Sequence, residues 1–272
     1  MKYFCRKERD KKMRGEREQC CLNMVKDNWR SILFYGLSQE DIDFVQNGVF
    51  QAEPNCESSK FPDFIFTGGF IEHFQITSSQ LSKKGALHQK EYAHYRKNID
   101  NEIHEFQEEM NVHPSFDEVQ ERHWCFHQPK HSYESLVKSF ESIWQHHIES
   151  LKKYSGCGER GVFLVDYPEF ALAMCEKIYD GVKGDLRYDD LREQQKFKAY
   201  RLSRDKRMLD FLYEYRELVE YVIYVYYNGC EIIKLKHIPE LKKLLPWDFE
   251  IYPLIVGNME SMYGISVPIE YK

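Results

Sequence analysis

The pattern of apolar and polar positions predicts several amphipathic helices. Residues 133–154 carry apolar side chains every three to four positions, which is typical of a long helix with one buried side. Ser38 precedes another periodic segment and Asp41 follows it by three positions, the pattern of an N-cap with an acidic first turn. The same periodicity and capping patterns predict helices over 39–50, 85–110, 133–154, 168–180 and 189–220.

Short apolar runs bounded by turn residues predict the strands. Residues 161–170 carry a continuous apolar run between Gly and Pro, which is typical of a strand buried on both faces. Gly68-Gly69 and Asn228-Gly229 each separate two apolar segments, so each pair predicts a hairpin. The expected fold class is α+β or α/β, a small mixed sheet with two hairpins and one buried central strand, flanked by several long helices.

Composition and charge place the chain among folded proteins. Its 272 residues are 42% hydrophobic and 15% aromatic, enough to bury a core. We expect residues 26–272 to form a single α/β globular domain, and residues 1–25, rich in Lys and Arg, to form a basic, mobile arm. Eight cysteines without a CxxC pair, and a charged beginning without an apolar leader, predict a reduced, cytoplasmic protein with no membrane partner.

The hairpin at 61–77 carries the most informative polar residues of the chain. Glu72, His73 and Gln75 lie among large aromatics, and a buried polar group without a partner is costly. A metal ion, a polar network or water must therefore satisfy them. Because side chains alternate along a strand, we expect Glu72 to share a face with Phe70 and Phe74, and His73 to share the opposite face with Gln75.

The order of elements around this hairpin resembles the PD-(D/E)XK nuclease family. A helix precedes a strand opened by Pro62-Asp63; a turn, a strand carrying Glu72, a helix and a buried strand follow. The resemblance has motif content over 38–77 and extends over 85–170 by element order alone. It implies a metal-dependent endonuclease that hydrolyses phosphodiester bonds, with Asp63 and Glu72 as ligands of Mg²⁺ or Mn²⁺ and a metal-activated water as nucleophile.

The lysine of the family motif is missing, which leaves several interpretations open. The resemblance implies a lysine at position 74, where this chain has Phe74. A lysine from elsewhere could take its role, or His73 and Gln75 could occupy catalytic positions in an altered site. The candidates for the displaced lysine are Lys83, Lys84 and Lys90. The other interpretations are a structural polar network, or a non-catalytic module that binds a protein partner or forms a homodimer.

A basic stretch at 192–207 predicts a nucleic-acid contact. Cationic side chains alternate with Phe197 and Tyr200, and clustered cations neutralise phosphates and release counterions. The alternative is an ordinary solvated helix face. The candidate nucleic-acid-binding residues are Lys196, Lys198, Arg201, Arg204 and Arg207.

Two further patterns have both a chemical and a structural interpretation. The segment 123–131 supplies imidazoles and a thiol suited to Zn²⁺, yet it also fits a half-buried edge strand; its candidate ligands are His123, Cys125, His127 and His131. Asp166 ends a buried strand, where it could be functional or could cap the next helix. His146-His147 is interpreted as an exposed pair on the second long helix.

Overall fold

The fold is a mixed α/β arrangement built on a seven-stranded sheet. A computed structural model describes residues 15–55, 61–79, 81–82, 85–112, 120–127, 131–154, 160–180, 192–227, 229–245, 249–254 and 257–264. In these ranges the helices are α1 (Glu16–Asp27), α2 (Gln39–Gln51), α3 (Leu87–Val112), α4 (Tyr133–Leu151), α5 (Lys206–Tyr213) and α6 (Ile238–Lys243). The strands are β1 (Leu33–Tyr35), β2 (Glu53–Pro54), β3 (Phe64–Phe66), β4 (Gly69–Gln75), β5 (Leu81–Ser82), β6 (Gly85–Ala86), β7 (Gln120–His127), β8 (Arg160–Tyr167), β9 (Leu172–Asp180), β10 (Arg192–Ala199), β11 (Tyr221–Tyr226), β12 (Gly229–Lys234), β13 (Glu250–Pro253) and β14 (Gly257–Gly264).

The main sheet places β8 at its centre, with one hairpin on each side. Its strand order is β1-β12-β11-β8-β4-β3-β2. Strand β8 is parallel to both neighbours, β4 and β11, and the hairpins β3–β4 and β11–β12 are antiparallel. Because β4 and β8 are parallel, the chain must cross over between them, and α4 is part of that connection.

Local sequence explains why these elements begin where they do. At the start of α2, Ser38 Oγ accepts a hydrogen bond from the Asp41 main-chain N–H at 3.2 Å, and Asp41 Oδ2 accepts one from the Ser38 N–H at 2.9 Å. In the β3–β4 turn Gly68 has a φ of 84°, which favours glycine. A Cβ on Gly69 would lie 2.7 Å from the Arg160 carbonyl, so glycine lets β4 pass close to β8.

Two separate apolar layers cover the faces of the sheet. On one face Phe70, Phe163 and Val165 pack with α4, α5 and α6. On the other face Ile71 and Leu164 pack with α1 and α2. Successive residues of β4 and β8 thus alternate between two cores, so a polar side chain on either strand is enclosed by a helix layer.

The structure confirms the predicted fold class and corrects several elements. Both hairpins and the buried central strand are present, in a sheet with more strands than expected. The helices predicted at 168–180 and 189–220 are wrong: β9 and β10 pair with each other there, β13 joins β9, and α5 is the one α-helix among the described residues of 189–220. Residues 16–25 of the expected mobile arm belong to α1, which packs on the sheet; residues 1–14 lie outside the described ranges.

Across the described ranges, no helix is both long enough and apolar enough to cross a bilayer.

Candidate functional site around strand β4

The pairing of β3 with β4 brings Asp63 and Glu72 together. In this hairpin Phe64 lies opposite Ile71, so the preceding residue, Asp63, lies opposite Glu72. Phe64 and Ile71 belong to the core layer under α1 and α2, and alternation therefore directs Asp63 and Glu72 to the other face, toward α4. The two acids thus share one face of the sheet.

Each carboxylate accepts a main-chain hydrogen bond from the neighbouring strand. The Asp63 N–H donates to Glu72 Oε2 at 3.0 Å, and the His73 N–H donates to Asp63 Oδ2 at 2.8 Å. On α4, Nδ1 of His147 lies 2.5 Å from Glu72 Oε1. These hydrogen bonds form a polar network, so the chain itself satisfies part of the hydrogen-bonding capacity of the buried acids.

The local electrostatics disfavour a full charge on Asp63. Burial raises its pKa, and the nearby charge of Glu72 raises it further, to about 7. The hydrogen bond from the His73 N–H acts in the opposite direction. A cation placed between the acids would offset this repulsion and favour the charged form of Asp63.

His147 is a site residue that sequence analysis missed. It was interpreted as one of an exposed pair, but it is half-buried, contacts Glu72 and stacks on Phe74 with ring centroids 4.9 Å apart. Phe74 holds the position at which the resemblance implies a lysine, so an imidazole from α4 lies beside that position. The amphipathic pattern of α4 could have placed it, since His147 follows Trp144 by three residues and Phe140 by seven.

A second polar cluster lies on the opposite side of β4. Ligand atoms of Cys21, His73 and Asp166 lie within 4.8 Å of one another. Burial lowers the pKa of His73 to about 4, so its imidazole is neutral at physiological pH. The alternation of side chains along a strand predicted that His73 faces away from Glu72. The sequence pattern did not predict that Cys21 lies near His73.

The other predicted catalytic residues have different surroundings. Gln75 accepts a hydrogen bond from Arg17 Nη1 at 3.3 Å. Lys90 is exposed on α3, a helix that packs on β6 and β7. Lys83 and Lys84 lie outside the described residues.

The basic stretch is divided between strand β10, the segment that follows it and the first turn of α5. Lys196 and Lys198 lie on β10, with Lys198 exposed, and nothing is described of the Lys196 side chain. Arg201 instead points into the fold, where its Nη2 lies 3.1 Å from the fully buried Glu231. Arg204 lies over the ring of Phe249, and Arg207 pairs with Glu134 at 2.8 Å on the surface; these are the remaining two predicted residues.

The residues of the predicted zinc segment are found in different surroundings. His123 is exposed on β7, which pairs with β14 as a strand, and the Cys125 and His127 side chains lie outside the described set. His131 is buried just before α4. It forms an isolated antiparallel β-bridge with Ser79, and its Nδ1 lies 2.8 Å from Ser78 Oγ.

The neighbours of His131 resemble a nucleophile–base–acid set but do not have its geometry. Ser78 Oγ donates to Glu169 Oε2 at 2.8 Å, and the same His131 nitrogen, Nδ1, faces both Ser78 and Glu169. A catalytic triad needs the two imidazole nitrogens to face different partners. Because Ser78 is also fully buried, this network holds the chain after β4 and offers no accessible nucleophile.

When the chain is compared with protein-family models, curated proteins and solved structures, none of them matches. Function is therefore inferred from the geometry around β4 and from chemistry.

Proposed function

We propose that the protein is a divalent-metal-dependent phosphodiester hydrolase of the nuclease type. Asp63 and Glu72 bind Mg²⁺ or Mn²⁺ on the α4 face of β4. The observation that carries the proposal is their placement on one face of neighbouring strands, where burial and the charge of Glu72 raise the pKa of Asp63 to about 7. A hard cation with oxygen ligands is the partner that such a pair favours.

The element order supports the same proposal. Helix α2 is followed by β2, by β3 opened by Pro62-Asp63, and by β4 with Glu72. Helix α4 then leads to β8, parallel to β4. This is the order on which the resemblance to PD-(D/E)XK nucleases depends.

Each group around the pair has a distinct role in the proposed reaction. A cation held by Asp63 and Glu72 would lower the pKa of a bound water and would stabilise charge on the phosphate oxygens. His147, on the same face and within hydrogen-bond distance of Glu72, takes the place of the absent lysine and accepts a proton from the attacking water as the water oxygen bonds to phosphorus. Lys198 and Arg207 are exposed members of the basic stretch, and in this proposal they contact the nucleic-acid backbone.

A non-catalytic binding module remains the alternative candidate. The main-chain hydrogen bonds to Asp63 and Glu72 favour it, because they give both acids a structural role. Cys20, Cys21 and Cys230 are not joined in disulfides, which fits the proposed cytoplasmic location under either function.

The experiment is Mn²⁺ calorimetry combined with a cleavage assay on single- and double-stranded DNA and RNA. The wild type should bind Mn²⁺ and cleave at least one substrate. Asp63→Asn and Glu72→Gln should lose the binding heat and reduce cleavage about 100-fold or more, because a metal supplies several kcal/mol of transition-state stabilisation. His147→Gln should retain Mn²⁺ binding and lose about 100-fold in rate, as expected for a general acid–base residue.

The matched control is Glu53→Gln, an exposed acid on the adjacent strand β2, which should leave both readouts unchanged. Binding of Mn²⁺ without cleavage of any substrate would reject the hydrolase and support the binding module. Absence of Mn²⁺ binding by a folded wild-type protein would reject the metal site itself.

A further inference from the structure

Three separate elements bring a thiol, an imidazole and a carboxylate together on the α1 side of the sheet. Cys21 comes from α1, His73 from β4 and Asp166 from β8. A ligand atom of each lies within 4.8 Å of the other two. The register of β4 and β8 pairs Gln75 with Asp166, which places the acid two residues along from His73 on the same face.

The imidazole of His73 supplies a second and independent observation. Only 8% of its surface is exposed, and its Nε2 has no hydrogen-bond partner within the part of the chain that the structure describes. A buried nitrogen left in this state is costly, so a native fold seldom retains one without a ligand, ion or water. An imidazole nitrogen that carries no proton can donate its lone pair to a metal.

The donor set selects the kind of ion. Zinc accepts thiolate, imidazole and carboxylate ligands, whereas Mg²⁺ requires oxygen. At a tetrahedral zinc, Zn–S and Zn–N bonds of about 2.3 Å and 2.0 Å place the two ligand atoms about 3.5 Å apart, so metal binding requires the side chains to approach each other by at most about 1.3 Å from the 4.8 Å limit.

The charges on α1 are compatible with a cation at this position. Glu18 lies one turn before Cys21 on α1, and its charge acts on His73. Arg17 reaches Gln75 and carries the opposite charge. A dication bound by a thiolate and a carboxylate gives a neutral centre, which is easier to bury than a charged one.

We propose that Cys21, His73 and Asp166 form a zinc site, separate from the Asp63–Glu72 pair, with three protein ligands and a fourth position filled by water. The ion joins α1 to the two central strands β4 and β8.

The test uses Co²⁺ as a spectroscopic substitute for Zn²⁺ in the full-length protein. Coordination by a cysteine thiolate gives an intense near-ultraviolet charge-transfer band. We expect one equivalent of Co²⁺ to produce this band, and one equivalent of Zn²⁺ to abolish it. Cys21→Ser should remove the band, and Asp166→Asn should weaken Zn²⁺ binding by about 10-fold or more.

Matched variants distinguish this site from the others. Cys20→Ser changes the neighbouring thiol on the same helix and should keep the band, as should Cys125→Ser, which tests the zinc segment at 123–131. Asp63→Asn should also keep it, so the zinc site stands or falls independently of the proposed hydrolase. A band that survives in folded Cys21→Ser but is lost in Cys125→Ser, or a wild type that gives no band, would overturn the proposal.

Discussion

At the scale of single residues, the side chains of the adjacent residues Glu72 and His73 on β4 lie on opposite faces of the sheet. Glu72 faces α4 and His147, whereas His73 faces α1 and Cys21. The main chain links the two sides, because the His73 N–H donates to Asp63 Oδ2. A short strand between two helix layers can thus support an oxygen-rich site on one side and a sulfur- and nitrogen-containing site on the other.

The raised pKa of Asp63 makes the stability of the protein depend on pH. An unfolded aspartate has a pKa of about 3.9, whereas in the fold it is about 7. Between these values the folded protein holds a proton that the unfolded chain has released, so stability falls as the pH rises through the window. Between about pH 4.5 and about pH 7.5, the free energy of unfolding in urea should fall by about 2–4 kcal/mol more in wild type than in Asp63→Asn.

The asparagine variant keeps the shape and lacks the titrating proton, so the difference between the two proteins isolates this one group. Adding Mn²⁺ near neutral pH should recover part of the lost stability in wild type, because a bound cation replaces the proton. Parallel pH profiles for the two proteins would contradict the raised pKa.

At the scale of secondary-structure elements, the correct predictions depend on signals within a few residues. The wrong predictions concern segments whose structure depends on long-range strand pairing. The Ser38 cap, the Gly68-Gly69 turn and the apolar run in β8 each act within a few residues, and each predicted its element. Strands β9 and β10 contain Glu, Lys, Arg and Gln, residues that favour helices in isolation. Their pairing is a long-range choice that local propensity does not reveal.

The same distinction between local and long-range contacts applies to the candidate site. The Asp63–Glu72 pair lies within one hairpin, so strand alternation and turn length were enough to place it. The proximity of Glu72 to His147, and of His73 to Cys21 and Asp166, joins segments that are more than 50 residues apart in the sequence. They depend on how the helices pack on the sheet, which no single segment encodes.

Arg201, which precedes α5, and Arg207, in the first turn of α5, should differ in their contribution to stability. Arg201 pairs with Glu231, whose side chain is fully buried. Arg207 pairs with Glu134 in solvent. Arg201→Gln leaves a buried carboxylate without its counter-charge and should cost about 3–5 kcal/mol of unfolding free energy. Arg207→Gln should cost less than about 1 kcal/mol.

Urea unfolding of both variants measures this difference. Arg207→Gln also tests the proposed nucleic-acid contact. Because its stability should be nearly unchanged, a loss of nucleic-acid binding in this variant would not result from unfolding. Equal and small losses of stability in both variants would contradict the buried position of the Arg201 pair.

At the scale of the whole molecule, an ion network joins the α2 layer to the centre of the sheet. Asp41 on α2 accepts hydrogen bonds from Lys234 Nζ at 2.8 Å and from the Tyr221 hydroxyl at 2.6 Å. Arg160 on β8 lies 3.2 Å from Asp41 and is bound by Glu220 at 2.6 and 2.7 Å. The network therefore connects α2 with β8, β11 and β12 at the end of the sheet where β4 begins.

Asp41 should make the fold sensitive to acid. Burial acts to raise its pKa, but hydrogen bonds from Lys234, Tyr221 and Ser38 outweigh burial and hold the pKa well below its usual range. A carboxylate whose pKa is lowered on folding adds stability above the unfolded pKa of about 4, and this stability is lost as the pH falls below that value. Asp41→Asn should therefore lower the free energy of unfolding by about 3 kcal/mol near pH 7 and by less near pH 3. Asp43→Asn, two residues further along α2 and exposed, is the control that should change little at either pH. If Asp41→Asn were equally destabilising at both pH values, packing of the side chain would account for the loss, and its charge would not be what binds α2 to the sheet.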